Sequence, residues 1–167
     1  MTVYKLVDQN YQTGRRCRRL TTWKVGERMP RLSGEGNLCG SGFYHAYTDP
    51  RLALLLNPVH ASIKNPRLLE IEGEIAQEDC GLKVGVTEPL VVREIPVPTI
   101  TVEQAVRFGI LCSLEIYKAV AYTLWAQRWL DGSDRTAASA RAAKVAARGV
   151  VTARWTAEDC AEAAEEA

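Results

Sequence analysis

The chain has 167 residues, 47% hydrophobic and 25% charged, with a formal net charge of +1. That length suits one domain or one domain with an appendage, and it can bury a core without staples. The near-neutral balance excludes a global attraction to nucleic acid or acidic membranes, so such a partner would need a local patch. Five cysteines, at 17, 39, 80, 112 and 160, form no CxxC pair, which points to reduced thiols rather than a disulfide framework. The start, Met1-Thr2-Val3-Tyr4-Lys5, has no apolar signal core, and no run of about 18 apolar residues occurs. The expectation is a cytoplasmic protein with no membrane partner and no membrane span.

In chain order, residues 2–8 (TVYKLVD) and 17–25 (CRRLTTWKV) are predicted strands, rich in β-branched and aromatic residues. A loop rich in Gly, Ser, Pro and Asn runs from Glu27 to Gly42, and Phe43 to Tyr47 is a short aromatic strand. Asp49-Pro50 predicts an N-cap with proline at the first helical position, and Asn57-Pro58 predicts the end of that helix. Residues 67–76 (RLLEIEGEIA) alternate as one strand. Leu69, Ile71, Gly73 and Ile75 share one face, and Glu70, Glu72 and Glu74 share a face that must be wet or paired. Residues 89–97 (PLVVREIPV) form a further strand, with Pro96 marking an edge or an end.

At Thr101 the texture changes. Thr101-Val102-Glu103-Gln104 has capping-box spacing, so a helix starts there. Its apolar stripe runs on to Trp125, Trp129 and Leu130, with Asp131-Gly132 as the stop and Ser133 as the next cap. From Ala137 the chain is alanine with interspersed charge, the strongest helix formers, until Gly149 and Val150-Val151-Thr152. The fold class expected is α+β. A strand-rich domain over residues 1–100, with about five strands in an antiparallel or mixed sheet, precedes long alanine-rich helices over 101–167 that pack on the sheet or project from it.

Three stretches resemble a known family: Cys17-Arg18-Arg19 with Trp23-Lys24-Val25-Gly26-Glu27, then Cys39-Gly40-Ser41-Gly42-Phe43-Tyr44-His45-Ala46-Tyr47-Thr48-Asp49-Pro50, then Glu70-Ile71-Glu72-Gly73-Glu74. Together they are similar to small phage and prophage proteins of unknown function that carry a C-x-x-G-F-H-A-C-x-x-P-like motif. Trp129-Leu130-Asp131-Gly132-Ser133-Asp134-Arg135 before an alanine-rich tail is a further shared feature. Two departures stand out: Tyr44 is inserted before His45, and Tyr47 replaces the second cysteine. The resemblance implies a phage genome and a bacterial host cytoplasm as the setting.

Several constellations can carry function. Tyr44, His45 and Tyr47 follow Gly42-Phe43 on a strand that can stack a planar ring, with Tyr4 on the first strand as a fourth ligand-binding candidate. That strand and the helix after it are similar to the G-x-Y-F-A strand and helix of ADP-ribosyltransferase-like folds. The resemblance implies NAD as cofactor, with His45 and Glu94 in the catalytic places. The bland alternative is an aromatic core strand. Cys39, His45, His60 and Cys80 are zinc-type ligands, but their spacing fits no standard motif, so no metal is expected.

Partner-binding candidates are Arg15, Arg16, Arg18 and Arg19, then Trp125 and Trp129 at i, i+4, and Arg141 and Arg148 on the alanine helix. The leading expectation is an accessory protein that engages a host bacterial protein without catalysis and without a cofactor, with a homodimer through the C-terminal helices as a variant. A NAD-binding enzyme is the alternative, and nucleic acid held by the arginine groups ranks below both.

Overall fold

A computed structural model describes residues 1–14 and 20–147. The protein is α+β, with strands mainly in the N-terminal half, and it divides into compact units between Thr99 and Ile100.

In the first unit the strands are β1 (Thr2–Val7), β2 (Gln12–Thr13), β3 (Thr21–Thr22), β4 (Tyr44–Ala46), β5 (Arg67–Glu72), β6 (Ile75–Asp79), β7 (Lys83–Val86) and β8 (Leu90–Ile95). Between β4 and β5 lie the short helices α1 (Pro50–Leu55) and α2 (Asn57–His60). The strands form not one sheet but three small antiparallel ones, in the orders β1-β5-β8, β2-β3 and β4-β7-β6.

The expected single strand over 67–76 is therefore two. β5 stops at Glu72, and β6 starts at Ile75 in a different sheet. Alternation was satisfied in both halves, so periodicity could not reveal the corner at Gly73. β5 is central, and Leu68, Leu69 and Ile71 on its two faces are all fully buried. Glu70 is paired with Arg93 across the ladder at 2.9 Å, which resolves the acidic face as partly paired.

Helix α1 starts as its residues dictate. The Asp49 carboxylate accepts the Arg51 N–H at 2.7 Å, and Pro50 lies in the first turn. Helix α1 ends at Leu55, just before Asn57-Pro58, as expected, but that pair also has a second role. It opens α2, because a proline without an N–H is tolerated in a first turn. The second predicted strand, 17–25, survives as only Thr21–Thr22 among the described residues. β7 had no prediction: its four residues, all buried, include a lysine and a glycine that break the usual strand pattern.

The core of this unit gathers Val3, Val7, Trp23, Met29, Ala46, Leu69, Ile71, Val84, Val86 and Val91. Trp23 is tied at both ends, its backbone N–H to Tyr11 O at 2.8 Å and its indole N–H to Thr13 Oγ1 at 3.0 Å. The glycines of the central motif have a packing reason. A Cβ on Gly42 would strike the Glu35 carbonyl, and one on Gly85 would lie 2.7 Å from Leu38 and 2.9 Å from Phe43.

In the second unit α3 (Val102–Ile116), α4 (Val120–Asp131) and α5 (Ala137–Ala147) build their own core. Both halves of the Thr101–Gln104 capping box form, at 3.2 and 2.9 Å. The apolar stripe is cut in two, since Tyr117 and Ala119 are extended. Gly132 stops α4 in the left-handed region at φ 83°. Ser139 N–H bonds Thr136 Oγ1 at 3.3 Å, so Thr136, not Ser133, supplies the side chain at the start of α5. Ala140, Ala143 and Ala147 are buried, their small side chains serving close helix approach. The expected break at Gly149 and the acidic end lie outside the described residues.

Replacing Gly85 by Ala should cost about 1–3 kcal/mol through overpacking. It should lower the denaturant midpoint while leaving the helical unit's far-UV signal in place. An unchanged midpoint would contradict the contact with Leu38 and Phe43.

Candidate functional site

The first unit contains a cleft of about 650 Å³, within the range of small-molecule sites. Its aromatic wall is Trp23, Phe43, Tyr44 and Tyr47, and its polar groups include Lys5, Cys39, His45 and His60. What assembles it is one short bridge. Tyr4 and Tyr47 exchange backbone hydrogen bonds at 2.7 and 2.9 Å, which sets β1 beside the end of β4. Lys5 then reaches the other strand, its ammonium donating to His45 O at 2.6 Å and lying 5.3 Å from the centre of the Trp23 ring.

Strand alternation by itself sends the neighbours Tyr44 and His45 to opposite faces. Both border the cleft, and both are partly exposed. β4 is the edge strand of its sheet, so the cleft wraps that edge and takes side chains from either face. Tyr44 packs edge-on against Trp23 at 5.3 Å and donates its hydroxyl to Pro30 O at 2.9 Å.

The His45 ring donates from Nε2 to Leu38 O. A carbonyl can only accept, so Nε2 carries the proton and Nδ1 keeps its lone pair. Burial, then the Lys5 charge, drive the His45 pKa down to about 4, so the ring is neutral at physiological pH.

Across the cleft, α2 presents His60 flat against Tyr47, with ring centres 6.0 Å apart. The Tyr47 phenol, pushed up to about 12 by burial, shares a hydrogen bond of 2.9 Å with His60 Nδ1. Burial and Lys83 lower the His60 pKa as well. Asn57 fixes the loop after α2 with a pair of bonds to the Ile63 backbone, each 3.0 Å.

Lysine dominates the electrostatics. Lys5 keeps some surface open to the cleft, yet desolvation and then the Lys83 charge bring its pKa down to about 8. Lys83 on β7 is 6% exposed and donates to Cys39 Sγ at 2.9 Å. Sequence reading passed over Lys83, noted Lys5 only beside Tyr4 on the first strand, and gave Trp23 no place in the site. A lysine inside a strand such as KVGV, or the alternate position TVYKLV, is the signal that was present, but lysine ordinarily means a solvated face.

The other candidates fall elsewhere. Tyr4 is opposite Glu70 in the ladder, one residue out of phase with Lys5, and is not on the cleft wall. Glu94 is also off that wall. It binds Arg67 through paired contacts of 2.9 Å and accepts the Tyr11 hydroxyl at 2.6 Å. Both contacts hold its pKa below the usual carboxylate range.

Trp125 and Trp129, candidates for partner binding or for core packing, are 6% and 3% exposed in the helical core, where they pack with Tyr122 and Ala126. A stripe at helical spacing reads the same whether it faces a partner or its own unit. Arg141 is exposed on α5. Arg15, Arg16, Arg18, Arg19 and Arg148 lie outside the described residues. Among the described residues no cluster of three metal-ligating side chains occurs, and no helix is long and apolar enough to cross a membrane.

The depressed imidazoles set a pH dependence. An unfolded histidine takes up a proton near pH 6.5, but folded His45 resists until about pH 4. Between those values the unfolded state binds more protons, so stability is fully present above about pH 6.5 and is lost as pH falls towards 4. His45→Gln, which keeps an N–H donor for Leu38 O, should flatten the fall in denaturant midpoint, leaving the smaller His60 contribution. A wild-type midpoint that is level across this window would refute the burial of a neutral ring. Comparison of the chain with protein-family models, with curated proteins and with solved structures finds no match.

Proposed function

We propose that this protein acts by binding, without catalysis, and that its strand-rich unit takes a small planar molecule in the cleft between β1, β4 and α2. The observation that carries this reading is the wall itself. Trp23, Phe43, Tyr44 and the stacked Tyr47–His60 pair line one concave space of ligand size. Aromatic side chains with polar edges around such a space hold flat heteroaromatic rings by stacking and a few hydrogen bonds. His45 Nδ1 is a ready acceptor for a ring N–H. A NAD-consuming reaction would ask for a carboxylate at the reacting centre, and Glu94 is engaged by Arg67 and Tyr11 away from the wall. NAD remains within the class of ligands proposed, as a bound molecule. The phage-type accessory role and the bacterial host setting rest on the motif resemblance.

The test is thermal shift and calorimetry on the full chain with nucleosides and nicotinamide riboside. A ligand that binds only the folded state raises stability in proportion to the logarithm of its concentration over Kd. At least one of these rings should raise Tm at millimolar concentration, and Tyr44→Ala should weaken its binding by about 1–3 kcal/mol. Absence of any shift across the panel would end this reading.

Engagement of a host macromolecule is a second reading, favoured by apolar side chains that the helical unit leaves open. Ile116 is 70%, Val120 74% and Val145 68% exposed. Exposed apolar groups of this kind mark interaction surfaces when they cluster. A pull-down from bacterial lysate should recover a stoichiometric protein that the Ile116→Ser, Val120→Ser double variant loses. Equal recovery by the variant would place the contact elsewhere.

A further inference from the structure

We propose that the basic end of the cleft, with Lys5 on its wall and Lys83 behind Cys39, is an anion site for the phosphate of a nucleoside monophosphate. The inference rests on the reading of the cleft as a small-molecule site, and it names the ligand class.

The argument begins with charge that the fold leaves uncompensated. Elsewhere in this unit arginines meet carboxylates: Arg51 meets Asp49, Arg67 meets Glu94 and Arg93 meets Glu70, each at 2.9 Å. Neither Lys5 nor Lys83 is in an ion pair among the described residues. Lys5 has a backbone carbonyl as its hydrogen-bond partner, and Lys83 has a thiol. Removing an ammonium from water without an opposite charge is costly, and proteins ordinarily pair or neutralise such a group.

The surroundings add nothing negative close to Lys5. His45 is neutral, and the Lys83 charge acts on Lys5 as a repulsion. Lys64 stands at the exposed rim of the same cleft. Asp79 acts on His60. Asp8, the carboxylate of the wall, turns one oxygen back to accept the Asn10 and Gln12 N–H groups at 2.9 and 2.8 Å.

An anion arriving at Lys5 therefore relieves a standing repulsion instead of displacing a salt bridge. A phosphate monoester matches this site better than a carboxylate, because it offers more charge and more acceptor oxygens to the Lys5 ammonium, with the Lys83 charge just behind the wall. The ring of the same molecule then lies against Tyr44 and the Tyr47–His60 pair. The Lys5 pKa of about 8 makes the site basic at neutral pH and weaker in mild alkali.

The test compares matched probes on the full chain by calorimetry: adenosine with its 5′-monophosphate, and nicotinamide riboside with nicotinamide mononucleotide. For at least one pair the monophosphate should bind about tenfold or more tighter than its nucleoside. That advantage should shrink as salt is raised and as pH climbs from about 7 to about 9.5, where Lys5 loses its proton. Lys5→Met should make the two members of the pair bind alike. Lys83→Met should reduce the advantage severalfold. If either variant fails to fold, the salt and pH series on the wild-type protein decides. A wild-type monophosphate that binds no tighter than its nucleoside overturns the anion site and leaves the aromatic cleft standing. Binding by neither member of any pair removes both.

Discussion

The reciprocal backbone bridge between Tyr4 and Tyr47 is the contact on which the site depends. β1 is already committed on one side to β5 through six residue pairs from Thr2–Glu72 to Val7–Arg67. Its other side exchanges backbone bonds with Tyr47, just after β4, and Lys5 adds a side-chain bond to His45 O. Two sheets that share one buried core are thereby joined edge to edge, and the cleft lies beside this junction. Lys5, the residue after Tyr4, is aimed into the cleft because side chains alternate along a strand. His45, two residues before Tyr47, is carried to meet it.

The cleft is expensive to fold. It contains an ammonium and two imidazoles whose charged forms are disfavoured by burial, and a second ammonium lies just behind its wall. Each would be more comfortable in water. The remaining fold compensates with an apolar core around Trp23 and Ile71, and with arginine–carboxylate pairs between β5 and β8. Preformed positive potential beside aromatic rings is useful for holding a ligand and serves no packing purpose. That asymmetry is why the reading above centres on this cleft. The glycines around it are structural: Gly42 and Gly85 let the loop carrying Leu38 and Cys39 lie against β7, which keeps the Lys83–Cys39 contact short.

The helical unit follows a simpler logic. Its capping box, its left-handed Gly132 and its buried alanines are local devices that would be stable choices in almost any context. The tryptophans that could have been anchors fill its interior. Smaller aliphatic residues, Ile116, Val120 and Val145, are the ones left in solvent. Size alone is therefore a poor guide to which apolar residue of a helix meets a partner.

Sequence by itself determined what local chemistry can encode. The α+β class, the strand at β1, the start of α1 at Asp49-Pro50, the start of α3 at Thr101 and the stop at Gly132 all follow from caps, proline, glycine and period. It also picked out Tyr44, His45 and Tyr47 as neighbours worth watching. Only the tertiary structure decided that β5 and β6 part company at Gly73, that Glu94 serves Arg67, and that Lys5 lines the cleft with Lys83 just behind its wall. Those outcomes depend on contacts across 27 to 44 residues, as Arg67 with Glu94, Lys5 with His45 and Lys83 with Cys39 make. No window of sequence contains that information, because pairing is chosen by the joint burial of faces that each segment, read alone, satisfies equally well in several arrangements.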